Sequence, residues 1–222
     1  MKNPVLLLHG ALGASSQLQR IALALEQEGR EVHTLNFSGH GGEPFSNQGF
    51  GIEVFAHDVI SYLDRHDLSV VDIFGYSMGG YVAVWVAYIA SPRVNAIITL
   101  GTKFDWSRES AAREIAKLDP EKIEMKVPAF ARILSHRHAP NDWKELLGKT
   151  ADMMRRLGEE PLLTDKVLSA ITSPCAIYLG DLDDMADLAY SQHVADVIPD
   201  AKFVLLHNTP HPIEKVTFVP FL

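Results

Sequence analysis

One stretch constrains the fold of this chain more than any other. Val70–Phe74 is a short, nearly apolar run that passes directly into Gly75-Tyr76-Ser77-Met78-Gly79. The residues that follow, Ser77–Ala90, are apolar almost throughout. A short Val- and Ile-rich run reads as a strand buried on both faces. A helix apolar all round reads as one at the centre of a fold. Small residues two before and two after Ser77 let a strand and a helix approach closely through a tight turn.

The same alternation recurs along the chain. Apolar runs occupy Val5–Leu8, Val32–Phe37, Asn95–Leu100, Pro174–Leu179 and Ala201–Leu206. Val32–Phe37 is the least strand-like, because it mixes in His33, Thr34 and Asn36. Helical patterns lie between the runs. One starts at Ser15 or Ser16 and ends near Gly29; others span Ile52–Leu63, Leu188–Ile198 and, briefly, Pro212–Leu222. Such alternation predicts an α/β fold. Its doubly wound, mostly parallel sheet has about six strands, with helices on both faces and right-handed crossovers.

One interval breaks the rhythm. Between Leu100 and Pro174 no run reads as a strand. Asp119 precedes a turn at Pro120, and Pro128 opens a helix with Phe130, Ile133 and Leu134. Asn141 or Asp142 starts a third, with Gly158 after its end. The expected organisation is a core of residues 1–103 and 174–222, with residues 104–173 as a helical cap inserted before the penultimate strand. A length of 222 residues suits that arrangement better than two full domains.

Composition narrows the function classes. A net charge of −8 without a basic block makes the chain a poor candidate for binding a nucleic-acid backbone, and no nucleic-acid partner is expected. A single cysteine, Cys175, excludes an intrachain disulfide and a thiolate metal cluster. It lies in an apolar run and reads as a buried thiol. Val5–Leu8 is too short for a signal-peptide core, and no apolar run reaches the ~18 residues of a membrane span. The expected setting is the cytoplasm. The histidines carry no metal spacing: His136 and His138 are two apart, and Glu53 with His57 lacks a third ligand. No metal is expected.

Ser77 is the candidate nucleophile. A tight turn between strand and helix lifts its hydroxyl clear of the sheet, and the helix N-terminus favours negative charge. The plain alternative is a helix-capping serine. An oxyanion needs preorganised donors. The candidates are the N–H of Met78, just after Ser77, and that of Ala11, in the His9-Gly10-Ala11-Leu12-Gly13 loop after the first strand. His9 reads as a loop-shaping residue. The loop lacks Gly-x-Gly-x-x-Gly and Gly-Lys-[Ser/Thr], which argues against nucleotide binding.

Three loops carry a resemblance. His9-Gly10 follows the first strand, Phe37-Ser38-Gly39-His40-Gly41 the second, and Gly75-Tyr76-Ser77-Met78-Gly79 the third. In this the chain resembles the α/β-hydrolase superfamily, in particular its small, capped, bacterial-type serine hydrolases. The resemblance implies the order Ser, acid, His. The family's Gly-x-x-Asp after the penultimate strand selects Asp183 within Gly180-Asp181-Leu182-Asp183-Asp184. Asp184 and, one strand earlier, Asp105 are the alternatives. Asp181 or Asp184 reads as the cap of the next helix. The resemblance implies His211 as the base, with His207 as the alternative. Pro210 stands where the family usually carries glycine.

The family also carries a cap between the sixth and seventh strands of its full fold, over the serine. Here Met125, Phe130, Leu134, Trp143, Met153 and Met154 either line an acyl pocket or pack the cap helices together, and Trp106 is placed to face the site. No single substrate-binding residue is legible. The resemblance implies a serine hydrolase acting on a small carboxylic ester or related acyl substrate, with no cofactor. A lyase using the same residues as a base, and a ligand-binding receptor, are the alternatives. Dehalogenation is disfavoured, because it calls for a carboxylate at position 77. Oligomeric state is not legible.

Overall fold

The computed structural model describes residues 2–217. The chain runs β1 (Val5–Leu8), a 3-10 turn at Ser15–Leu18, α1 (Gln19–Gln27), β2 (Val32–Thr34), α2 (Ile52–Arg65), β3 (Val71–Tyr76), α3 (Met78–Ile89) and β4 (Val94–Leu100). Five helices follow: α4 (Arg108–Ile115), α5 (Pro120–Lys126), α6 (Pro128–His138), α7 (Trp143–Glu159) and α8 (Asp165–Leu168). Then come β5 (Cys175–Leu182), α9 (Leu188–Val197), β6 (Ala201–Pro210) and a 3-10 turn at Ile213–Lys215. The sheet order is β2-β1-β3-β4-β5-β6, and every pairing is parallel.

Period-two alternation sends each strand's residues into two separate cores. Leu6, Leu8, Val71, Ile73 and Ile177 pack with α2, α3 and α9 on one face. Val5, Leu7, Phe74, Ile98 and Tyr178 pack with Leu18, Ile21 and Leu25 on the other. Both faces are therefore covered, as a parallel sheet requires. Helix α3 is buried along most of its length. Among the described residues, no helix is long and apolar enough to cross a membrane.

The five helices between β4 and β5 have readable starts. Asp119 accepts hydrogen bonds from the Glu121 and Lys122 N–H groups, and Asp142 accepts one from Lys144. Ile123, Ala131, Leu134, Trp143 and Leu147 form a small core of their own, with Leu12 packed against it.

Several boundaries differ from expectation. Gly158 lies inside α7, not beyond its end. A Cβ there would meet the Ala111 Cβ at 2.6 Å and the Ser107 carbonyl at 2.7 Å, so this glycine serves the close approach of α7 to α4. Strand β2 stops at Thr34, ahead of polar Asn36. Asp187, rather than Asp181 or Asp184, caps α9 by accepting from the Tyr190 N–H. Strands β5 and β6 run past their apolar segments to Leu182 and Pro210, because the two keep pairing beyond the rest of the sheet. In place of the helix expected over Pro212–Leu222, the described residues form a single 3-10 turn at Ile213–Lys215 with Val216 extended, and positions 218–222 lie outside the described residues.

Candidate active site

Ser77 sits between β3 and α3 with φ 53° and ψ −119°. A non-glycine residue at positive φ is uncommon, and such strain persists only where the surroundings enforce it. Two neighbours do so here. A Cβ on Gly75 would strike the Gly79 carbonyl and the Gly80 Cα, and one on Gly79 would strike the Leu8 carbonyl. Only glycines let helix and strand close on each other at this turn. The Ser77 N–H donates to the Leu100 carbonyl at 2.8 Å, and Thr102 Oγ1 donates to the Ser77 carbonyl at 3.0 Å.

Asp183 and His211 come from the ends of β5 and β6. The ladder closes with Leu182 opposite Pro210, so the next residue on each strand emerges beside the other. His211 Nδ1 lies 2.7 Å from Asp183 Oδ2. The other carboxylate oxygen accepts from the Met185 and Ala186 N–H groups at 2.9 and 3.0 Å. Burial opposes ionisation of Asp183, but the His211 contact and these two N–H groups outweigh it and hold the carboxyl below its ordinary range. An ionised carboxylate only accepts, so Nδ1 carries the proton and Nε2 is left as the basic nitrogen. Tyr76 donates its hydroxyl to the His211 carbonyl at 3.0 Å and so fixes the loop itself.

The alternatives lie elsewhere. Asp184 is exposed, Asp105 pairs with Lys103 at 2.8 Å, and His207 is an exposed side chain paired with Asp181 at 3.2 Å. Ser77 and His211 line one cavity of about 370 Å³ together with Ala11 and Met78. No hydrogen bond joins Ser77 to His211 among the described residues; such bonds commonly tighten only around a bound substrate. Among the described residues, neither the Ala11 nor the Met78 N–H has a protein acceptor, and both residues line the cavity with Ser77.

The cavity wall is largely apolar. Phe130, Met153 and Met154 line it, as does Trp106, while Leu134 and Trp143 pack the small helical core instead. Met125 is 76% exposed and does neither. Among the described residues, no three His, Cys, Asp or Glu side chains form a group able to hold a metal.

Beside the cavity lies a buried trio of imidazoles. His9 and His40 rings are 5.1 Å apart, and His40 and His138 rings 5.7 Å. The Phe37 N–H donates to His9 Nε2 at 3.2 Å, so His9 Nδ1 donates to the Gly10 carbonyl at 2.8 Å. His9 thus ties the β1 loop to the β2 loop, and burial lowers its pKa to about 4. Gly101 was not singled out by its sequence context. It has φ 60° and lies against the Asp183–His211 pair: a Cβ there would stand 2.9 Å from Asp183 Oδ2. Its place at the end of a buried run, next to Leu100, was the one signal available.

Comparison with known proteins gives a consistent picture. A family model described as the alpha/beta hydrolase fold matches residues 3–157. The chain is 36% identical over 146 residues to the sn-1-specific diacylglycerol lipase ABHD11 of Xenopus tropicalis; the match covers 64% of this chain and 46% of the relative. The chain thus spans less than half the length of that relative. The solved enol-lactonase of Burkholderia xenovorans LB400 superposes with a TM-score of 0.76 at 18% identity, over 95% of this chain and 85% of its own. The 2-hydroxy-6-oxo-6-phenylhexa-2,4-dienoate hydrolase of Rhodococcus sp. strain RHA1 does so with a TM-score of 0.77 at 18% identity, over 96% and 85%.

Proposed function

Because this chain belongs to the α/β-hydrolase family, we propose that it is a serine hydrolase acting on a small carboxylic ester or related acyl substrate. One observation carries the reading: Ser77, held at positive φ, shares a cavity with a His211 whose Nδ1 proton is committed to Asp183.

In this reading the Ser77 hydroxyl attacks the substrate carbonyl carbon while His211 Nε2 takes its proton. The carbonyl oxygen becomes an oxyanion, held by the Ala11 and Met78 N–H groups. As the tetrahedral intermediate collapses, His211 returns the proton to the departing alkoxide, leaving an ester between acyl group and Ser77. Water, deprotonated by the same Nε2, then attacks that ester; the acid departs and Ser77 is reprotonated. Asp183 keeps the imidazole in one tautomer and stabilises its charged form. Residues 104–173 act as a cap over the serine. The apolar wall offered by Phe130, Met153 and Met154 supports an acyl chain in the cavity.

A fluorophosphonate probe tests the reading. Labelling of wild type at Ser77, lost in Ser77→Ala, is expected; folded wild type that resists the probe would overturn it. A panel of nitrophenyl esters of increasing chain length then reads the acyl preference. Labelling with no ester turned over above background would move the assignment to a lyase or receptor.

A further inference from the structure

The loop that offers the Ala11 N–H is held from an unexpected side. Within the Gly10–Gly13 turn, Leu12 adopts φ 56°, which a bulky residue tolerates only when its surroundings impose it. The restraint comes from α6, more than a hundred residues later. Arg137 Nη1 donates to the Leu12 carbonyl at 2.9 Å, and His138 Nε2 donates to the same oxygen at 3.0 Å. His138 is fully buried, and its Nδ1 accepts from the Gly41 N–H at 3.1 Å. That second bond fixes the tautomer, so Nε2 must carry the proton it gives to Leu12. The Leu12 side chain meanwhile packs on the small core of Ile123, Leu134 and Trp143. Just past α6, Asn141 Nδ2 donates to the carbonyls of Gly39 and Glu43 at 3.2 and 2.6 Å, tying down the neighbouring β2 loop.

We propose that Arg137 and His138 are positioning residues for the oxyanion-binding turn. By gripping the Leu12 carbonyl they hold the strained turn in the form that leaves the Ala11 N–H free for an oxyanion. The inserted helices therefore set the rate of the chemical step as well as covering the serine. The proposal rests on the serine-hydrolase reading above.

Arg137 is only half-buried, so Arg137→Met removes one donor while keeping most of the packed stem, and Arg137→Lys keeps a donor. Losing a whole oxyanion donor costs ~10²–10³ in kcat, so loosening its support is expected to cost about tenfold. In Arg137→Met, kcat for a nitrophenyl ester and the rate of fluorophosphonate labelling should fall together. KM should stay within about twofold, and Arg137→Lys should recover most of the loss. His138→Gln, which retains a donor, should be milder than His138→Leu. Unfolding curves report whether each variant is folded. Wild type that turns over ester alongside a folded Arg137→Met of equal kcat would overturn this proposal alone. A rise confined to KM would also overturn it, because the grip would then shape only the pocket. Wild type that neither labels nor turns over ester would overturn the serine-hydrolase reading and this proposal together.

Discussion

His211 Nδ1 lies 2.7 Å from Asp183 Oδ2, and the two residues meet because β5 and β6 remain paired to Leu182 and Pro210. Parallel strands in register deliver equivalent positions to one end of a sheet. The extra pairing past the rest of the sheet brings His211 to the cavity that holds Ser77, with the Asp183 side chain buried against it.

Asp183→Asn is expected to lower kcat by ~10³ or more, because an amide no longer enforces the Nδ1–H tautomer. Asp184→Asn, at an exposed position, should change kcat by less than about twofold. Steady-state kinetics of the two variants side by side check this; equal losses would remove Asp183 from its assigned role.

Gly101→Ala should impair turnover without changing any catalytic group. The added Cβ would stand 2.9 Å from Asp183 Oδ2 and 3.3 Å from His211 Nδ1, at φ 60°. The backbone strain costs about 1–2 kcal/mol of stability, and the pair must shift apart. A fall in kcat of about tenfold or more, with a lower unfolding midpoint and a nearly constant KM, is the expected result.

The buried imidazoles make stability sensitive to mild acid. Burial, opposed by a hydrogen bond to backbone, brings both His9 and His138 to about 4, whereas in the unfolded chain they titrate near 6.5. Between those values the unfolded chain binds more protons, so stability is complete above about pH 6.5 and falls as pH drops towards 4. Each histidine contributes a slope of up to about 1.4 kcal/mol per pH unit. Asp183, with its carboxyl held low, adds its loss only below the ordinary carboxylate range. Denaturant unfolding between pH 7.5 and 4.5 should show the decline, and His138→Gln should flatten it. An unchanged slope in that variant would exclude His138 as a source.

Met154→Trp should shift acyl preference. Met154 lines the cavity and is 8% exposed, so a larger ring takes space from the acyl chain. The expected result is a loss of about tenfold or more in kcat/KM for long-chain nitrophenyl esters, with the acetate ester within about twofold. A uniform loss across all chain lengths would count against residues 104–173 governing specificity.

Much of the core was written in local pattern. The run Val70–Phe74, the glycines around Ser77 and the all-apolar α3 specify a strand, a close turn and a central helix from neighbours in sequence alone. Asp119 and the Asn141-Asp142 pair announced their helices because capping is a contact across two or three residues. Gly158 misled for the complementary reason. A glycine near a helix end reads as a terminator, and only the approach of Ala111 from α4 reveals that it is there for packing.

The sequence by itself determined the alternation of strands and helices and the serine on its turn. These depend on side-chain periodicity, backbone sterics and short-range capping, which neighbouring residues fix. Tertiary structure alone decided the strand order and the hold of α6 on Leu12, and it pairs His211 with Asp183, the acid that the resemblance selects. Those contacts join segments 28 to 126 residues apart. Which of several chemically similar side chains makes such a contact depends on strand register and helix packing, and no local pattern encodes either.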